Sequence, residues 1–446
     1  MSDLEKERKS GSMDEIKREM SGYDKKYLVF LVVILGLAHI LDEYSSLAPG
    51  WIKSSIVWEF FVQFGISETV ALQTMSALGL ITIFLMLFSN FFKGLQDNYG
   101  RKRIFVVSAI GMTLGVFIQS IATDYPIFFI GSSIAMFFLF NDMQYVYINE
   151  ETPGDKRAQA FTATKIIGLC AIFFVPIIRG LFISEGSENW RPVLYFPVLV
   201  GVIVVILSAL FLRETRAYTI LQEDRKLNPE KYAKEKISLP QSIRDLRKMN
   251  NWVQVKWIIV VIMIGAPFGM LNLSYGEMFM DQLNILHDDR NIVMMLSVIG
   301  TGIVYLVHGQ VADRMGRRPS YLMNGILVIL LVPIEYISLL QGNLFVAGMT
   351  QGVRIGAFWN ITDVTRFMLI ENVPTRLRGY SQTFSGLCMF IVLPLSIIAT
   401  TILLGFVTYV YDIVLFFGLP FVIIGTILVF FKVKETVHVD ITKIEG

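Results

Sequence analysis

The chain has 446 residues, of which 54% are hydrophobic and 17% charged, and its formal net charge is +2. This composition leaves too little polar surface to cover a water-soluble globule, so it excludes a soluble protein and predicts one embedded in a membrane. The small net charge gives no indication of a nucleic-acid partner.

Residues 1–26 form a charged tail without an apolar core or a small-residue cleavage site, so we expect a cytosolic tail rather than a signal peptide. Twelve apolar runs follow, each of about 20 residues, which is enough for a helix to cross about 30 Å of hydrocarbon. We therefore predict an all-α integral membrane protein with twelve transmembrane helices in two pseudo-symmetric six-helix bundles. The runs are 27–47, 69–92, 103–122, 126–147, 159–183, 191–212, 256–280, 291–311, 319–340, 343–369, 380–404 and 411–432.

Lysine and arginine gather in the loops that follow the even-numbered spans, whereas the opposite loops hold little beyond Lys53, Arg191 and Arg290. Basic short loops stay on the cytoplasmic side, so both termini are predicted to be cytoplasmic in a multi-pass protein of the plasma membrane. The predicted divisions are a bundle over 27–212, a cytoplasmic linker over 213–255 with short amphipathic helices, a bundle over 256–432 and a tail over 433–446.

Charged loop motifs recur in the two halves at constant offsets. "KGLQDNYGRK" between spans two and three matches "GQVADRMGRR" between spans eight and nine, 216 residues later. "EETPGDKR" matches "ENVPTRLR", and "RET" matches "KET", both 221 residues later. The two halves are therefore predicted to be copies, an architecture that supports alternating access.

At these loops the chain resembles the major facilitator superfamily, whose loop pattern Gly-x-x-x-Asp-x-x-Gly-Arg-Arg is complete at 309–318. In the first half, Lys93 stands where the pattern has its leading glycine. The later motifs narrow the resemblance to the sugar-porter, organic-ion and metabolite–proton symporter branches. The resemblance implies a membrane transporter and covers nearly the whole chain.

The charged loops have two interpretations. One is a topology anchor, since any basic cytoplasmic turn could serve in that way. The other is a cytoplasmic gate, in which arginines bind glutamates when the inner side is closed and release them when it opens. The candidate gate residues are Asp97, Arg101, Glu150, Arg157, Glu214, Asp313, Arg317, Glu371, Arg378 and Glu435.

The first span contains "AHILDEYSS", which places Asp42 and Glu43 three and four residues after His39, on one helical face. An interfacial carboxylate pair is the simpler interpretation. Proton coupling is favoured, because a carboxylate held away from water can titrate near physiological pH with the histidine beside it. The stretch is similar to a first-helix segment of aromatic-acid symporters, with Ser45 where those proteins have a second aspartate.

Asn141 and Asp142 lie in the inner half of the fourth span, where Asp142 is either a second proton site or a partner for Lys165. Lys165 stands where sugar porters place a sugar-binding glutamine. Together with Arg354 it suggests an anionic ligand, because cations away from water need a counter-charge. Alternatively, Lys165 pairs with Asp142, and Arg354 pairs with Asp42 or Glu277.

Three further residues are assigned to the substrate site: Asn272, Trp359 and Asn360. Asn360 carries an amide that needs a partner in hydrocarbon, whereas Trp359 is the weakest member. Arg179 and Glu335 are expected to reach water near the extracellular helix ends and are left out.

The leading functional hypothesis is proton-coupled import of a small organic acid or related metabolite by a monomer, with small-molecule substrate, protons and lipid as its partners. The alternatives are a proton-driven exporter of drugs or metabolites and a sensor that has lost transport. The sequence contains no nucleotide loop, metal cluster or nucleophile constellation, so neither an enzyme nor a cofactor is expected.

Overall fold

The computed structural model describes residues 24–140, 143–152, 157–184, 187–227, 239–272, 274–373 and 378–436. These residues are mostly helical, since only a helix satisfies the backbone of a single apolar segment in hydrocarbon. Among them, ten helices are long and apolar enough to cross a membrane.

Helices in the first half of the chain are α1 (Lys25–Trp51), α2 (Lys53–Phe60), α3 (Glu68–Gly94), α4 (Gln96–Tyr99), α5 (Arg101–Ser120), α6 (Tyr125–Phe137), α7 (Met143–Glu151), α8 (Arg157–Phe182) and α9 (Arg191–Phe211). Two short strands, β1 (Ile183–Ser184) and β2 (Ser187–Glu188), pair antiparallel between α8 and α9.

The linker and the second half contain α10 (Arg216–Leu227), α11 (Leu239–Lys248), α12 (Trp252–Leu271), α13 (Gly276–Gln282), α14 (His287–Met315), α15 (Arg317–Leu340), α16 (Leu344–Glu371), α17 (Arg378–Leu403), α18 (Tyr411–Ile413) and α19 (Leu419–Lys432). A π-helical turn at Val414–Gly418 joins α18 to α19. Helices α10 and α11 lie in the predicted linker.

The ten span candidates correspond to ten of the twelve predicted spans, and α16 is the tenth span. The fourth span is divided, since α6 ends at Phe137 and α7 begins at Met143. The seventh span is also interrupted, between Leu271 and Gly276. The chain therefore has the predicted twelve-helix architecture, with two of its spans broken.

Contact clustering gives two compact units. The first contains residues 24–48, 84–174 and 191–227, and in it α5 packs against α6 and α9.

The second unit contains Pro49–Ile83, Val175–Trp190 and residues 239–436. In it α16 packs against α14 and α15, and α12 packs against α17 and α19. This unit therefore combines segments from both halves of the sequence, whereas the predicted division into 27–212 and 256–432 follows the repeat.

Candidate functional site

In the first unit, Arg101 binds two glutamates at the turn between α4 and α5. Its side chain forms a forked contact with Glu150, at 3.1 Å from Nε and 3.0 Å from Nη2. Its backbone N–H donates to Glu214 at 2.8 Å, and Thr215 donates its hydroxyl to Glu150. Gly100 has φ +100°, and a Cβ there would overlap Glu214. We call these residues the Arg101 cluster.

The second unit repeats this arrangement at the turn between α14 and α15. Arg317 Nε lies 3.2 Å from Glu371, and the Arg317 backbone N–H donates to Glu435 at 2.9 Å. Thr436 donates to Glu371, and Gly316 has φ +102° beside Glu435. These residues form the Arg317 cluster. The end of each unit that carries its cluster is called the motif end.

Each cluster draws all of its partners from its own half of the sequence. Their contacts therefore fix helices within one half, and the predicted contacts of Arg101 and Arg317 exist without joining the halves. Four further predicted gate residues have side chains outside the described part of the structure: Asp97, Arg157, Asp313 and Arg378.

The first unit also holds the His39 group, which consists of His39, Asp42 and Glu43 on α1. His39 and Asp42 are 5% and 8% exposed, and His39 Nε2 lies 3.7 Å from Glu43 Oε1. Helix α1 continues to Trp51, four residues beyond the predicted end. Asp42 is therefore about 14 Å from the end of the helix, deeper than the simpler interfacial interpretation requires.

Asp42 Oδ1 accepts a hydrogen bond from the backbone N–H of Phe140, at 3.1 Å, inside the break between α6 and α7. The carboxylate satisfies a donor that the interrupted helix leaves unpaired. Asn141 and Asp142, predicted for this position, lie outside the described residues.

Lys165 lies on α8, which packs directly against α1 at the His39 group. Gly168, one turn after Lys165, contacts His39 so closely that a Cβ would overlap the imidazole ring. Residues three apart share a helical face, so the part-buried Lys165 is on the side of α8 that faces α1. The packing brings together four of the predicted site residues: His39, Asp42, Glu43 and Lys165.

Arg354 forms a buried ion pair in the second unit. Its Nε lies 2.6 Å from Glu335, and the two side chains are 1% and 0% exposed. Glu335 was expected to reach water, which is wrong. The alternative that Arg354 pairs with a protein carboxylate holds, but neither Asp42 nor Glu277 is the partner.

The same arginine holds Asn272 at the break between α12 and α13. Arg354 Nη1 donates to the backbone oxygen of Asn272 at 3.0 Å and also contacts its side-chain oxygen. A charged side chain thus satisfies the backbone at each broken span: Asp42 accepts from an N–H, and Arg354 donates to a C=O.

The two remaining predicted substrate residues differ in burial. Asn360 is fully buried, and neither of its amide atoms has a hydrogen-bond partner among the described residues. Trp359 is 36% exposed. Asn360 is therefore the better candidate of the two for contact with a bound molecule.

A second buried charge cluster lies in the second unit near the start of α14. Arg290 is in the first turn of α14 and Met315 is its last residue, so about 38 Å separates Arg290 from the motif end. We call this opposite end the far end. Glu277 lies 3.2 Å from Arg179 Nη2 and 3.5 Å from Arg290 Nη1.

Neutral groups complete this arrangement. Ser54 donates its backbone N–H to Glu277 at 2.8 Å, and Arg179 donates to the backbone oxygen of Trp51 at 2.7 Å and to the side chain of Asn291. The far-end cluster is defined as Trp51, Ser54, Arg179, Glu277, Arg290 and Asn291.

Arg179 is 0% exposed, so the expectation that it reaches water is wrong. The signal that could have identified it was the cost of a buried charge, which requires a partner. The predicted spans alone could not identify Glu277 as that partner, because the two residues are 98 positions apart.

Lys53 adds a further cation beside this cluster. Its Nζ donates to the backbone oxygen of Ser274 at 2.6 Å and lies 4.8 Å from the centre of the Tyr275 ring. Burial lowers the pKa of Lys53 to about 8, and the charge of Glu277 opposes that change. Lys53 therefore stays mostly protonated at neutral pH.

A small cavity of about 10 Å³ adjoins the far-end cluster, with room for roughly one water molecule. Two of its lining residues, Trp51 and Glu277, belong to the cluster. Two others present buried polar atoms without a hydrogen-bond partner among the described residues, Asn272 Nδ2 and Gln351 Oε1. The cavity can therefore hold a small group that both donates and accepts hydrogen bonds.

Residues 32–276, more than half of the chain, match the family model of the Major Facilitator Superfamily. The chain belongs to this superfamily. It is a multi-pass membrane transporter rather than an enzyme, and it takes a small-molecule substrate. No curated protein sequence matches it.

Solved structures show the same fold at low sequence identity. A D-xylose–proton symporter aligns with a TM-score of 0.71 and 13% identity, covering 93% of this chain and 99% of that chain. The inward-open xylose transporter XylE from E. coli gives 0.70 and 13%, with coverages of 94% and 99%. The nucleoside transporter NupG gives 0.67 and 14%, with coverages of 91% and 100%.

Proposed function

We propose that this transporter couples proton entry to the import of a small organic acid or related metabolite by alternating access. The observation that carries the proposal is the His39 group, where two carboxylates and an imidazole share one face of α1 beside Lys165. A membrane-buried group of this kind is costly to retain unless it faces a partner, a substrate or a proton path.

Asp42 has a specific part in the proposed mechanism. Its ionised carboxylate accepts from the Phe140 N–H at the break of the fourth span. Protonation weakens that bond, because the neutral acid is a poorer acceptor than the carboxylate. Proton binding and the geometry of the broken helix are then linked through one hydrogen bond.

The acidic nature of the substrate rests on Lys165. Arg354 contributes less than the sequence suggested, because Glu335 already matches its charge. Lys165 is part-buried and lies beside the His39 group, so an anion bound there would be near the proposed proton site. Asn272 and Asn360 supply neutral contacts in this proposal.

The direction of transport follows from the proposed orientation. The motif ends carry the basic loops and are placed in the cytoplasm of the plasma membrane, so the far end faces outward. Protons driven inward by their gradient would then carry substrate into the cell. The proposal takes the monomer as the working unit.

Proteoliposomes test the proposal with a panel of radiolabelled organic acids under an imposed pH gradient. The expected result is uphill accumulation of at least one acid that requires the gradient. Asp42→Asn or Glu43→Gln, whichever removes the proton carrier, should abolish accumulation but leave counterflow exchange, because exchange requires no net proton release.

Asp281→Asn is the matched control, because this carboxylate is 35% exposed and lies in the second unit, outside the His39 group. It should accumulate substrate normally. Accumulation that persists in both neutral variants would place coupling elsewhere, with Asp142 as the next candidate. Loss of exchange in both would assign the carboxylates to binding or folding instead.

A further inference from the structure

We infer that the far-end cluster is the latch that closes the far end of the transporter and must separate in each transport cycle. Its contacts join the two halves of the sequence: Trp51, Ser54 and Arg179 come from the first half, and Glu277 and Asn291 from the second. The inference rests on the alternating access of the proposed function and adds the residues that perform one closure.

The carboxylate of Glu277 is the centre of the latch. It receives the Ser54 backbone N–H, the Ser54 hydroxyl and the Arg179 guanidinium, and it pairs with Arg290. Glu277 is 1% exposed and Arg179 is 0% exposed. A carboxylate with this many partners from two directions fits only one register of the halves, so the contact specifies the closed arrangement.

The energetics suit a contact that must break. Removing a charge pair from water costs about as much as the pair regains, so a buried pair contributes little net stability compared with its hydrated form. Separation towards water returns the hydration of both charges. The latch therefore selects one closed geometry without holding it permanently.

The small cavity beside Glu277 gives water a place to enter. Arg354 holds the side-chain oxygen of Asn272, which leaves Asn272 Nδ2 directed to other partners. Gln351 lies three residues before Arg354 on α16 and presents Oε1 to the same cavity. Water can therefore reach the Glu277 carboxylate before the surrounding helices separate.

Neutral contacts extend the same seam between the halves. Gln282 donates to Glu68 at 2.7 Å, and Thr401 donates to Ser76 at 2.8 Å. Uncharged hydrogen bonds of this kind are individually weak. The charged cluster is therefore the part of the seam in which one substitution should have the largest effect.

The test uses a cysteine reporter and needs neither a substrate nor a pH gradient, so it can fail independently of the proton-coupling proposal. Cys170→Ala and Cys388→Ala remove both native thiols, and Ile355→Cys places a thiol on the cavity wall. A membrane-impermeant maleimide is added to the far side of oriented proteoliposomes. Ile355 is 5% exposed, so the parent reporter should react slowly.

Glu277→Gln should raise the labelling rate by about tenfold, equivalent to about 1.4 kcal/mol in the opening equilibrium. The neutral amide leaves Arg179 buried beside Arg290 without its counter-charge. Arg179→Lys should give a smaller rise, because an ammonium keeps the charge but loses the forked geometry.

Asp281→Asn is the control here as well, since its carboxylate binds Arg290 but not Arg179 and is 35% exposed. It should label at nearly the parent rate. If Glu277→Gln does not fold, Arg179→Lys decides the question alone. Parent labelling rates in the folded latch variants would overturn the inference, and an equal rise in Asp281→Asn would show general loosening instead of a latch.

Discussion

At the motif end, Arg101 and Arg317 each bind glutamates from their own half of the sequence, whereas at the far end Arg179 of the first half binds Glu277 of the second. The motif-end side chains are 8–22% exposed, but Arg179 and Glu277 are at most 1% exposed. The same pairing of arginine with glutamate therefore makes two kinds of connection. The repeated clusters shape each half, and the single far-end cluster joins the halves.

This difference also explains what the sequence could reveal. The Arg101 and Arg317 clusters occur twice at fixed offsets, so their members could be identified by comparing the chain with itself. The far-end cluster has no second copy, and its residues lie in four separate segments. Its pairing depends on how helices from the two halves meet, which periodicity does not encode.

The largest effect is expected when a fully buried pair within one half loses its cation. Arg354→Met leaves Glu335 buried without a counter-charge, which should lower the free energy of unfolding by about 3–5 kcal/mol. Thermal unfolding of the purified protein measures this as a marked fall in Tm.

Adding Glu335→Leu to Arg354→Met should recover much of the loss, since no buried charge then remains. Far-side labelling of the cysteine reporter should stay low in this double variant, because the far-end cluster is intact. A stable Arg354→Met single variant would contradict the buried pairing. Raised labelling in the double variant would remove the distinction between a pair within one half and the latch.

A smaller and equal effect is expected at the two repeated turns. Gly100→Ala and Gly316→Ala each force a side chain into a left-handed backbone, at φ +100° and +102°, and into a glutamate carboxylate. Each should cost about 1–3 kcal/mol and lower Tm by a similar amount.

Gly302→Ala, on α14 with open space around the new methyl group, is the control and should leave Tm nearly unchanged. Clearly unequal losses at Gly100 and Gly316 would show that the two clusters are not structural copies. A loss at Gly302 of the same size would assign the effect to glycine replacement in general.

Most of the fold follows from the sequence, because the length of an apolar run and the requirement for internal backbone hydrogen bonds define a transmembrane helix. The breaks in spans four and seven do not follow. They depend on Asp42 and Arg354, which come from other helices and satisfy the interrupted backbone.

The candidate site was predictable where its residues share one helix. His39, Asp42 and Glu43 were found by spacing alone, whereas the partners of Arg354 and Arg179 required the packing of separate helices. Arg179 and Glu335 were placed near water because their positions in the spans were considered without their partners. Their burial shows that a charge near the end of a span can still be fully enclosed.

The most direct measurement is a reversible staple across the far end. A Cβ on Gly180 would lie 3.9 Å from the Cβ of Asn291, within the 3.5–4.5 Å typical of a disulfide. Gly180→Cys with Asn291→Cys, in the background lacking native cysteines, should form this bond on oxidation. Counterflow of the labelled acid that the proteoliposome screen identifies should then fall to the level of empty liposomes and recover on reduction, while each single-cysteine variant stays insensitive to oxidant. Equal exchange by the oxidised, fully crosslinked protein and its reduced form would contradict the account, because the far end would then not need to open.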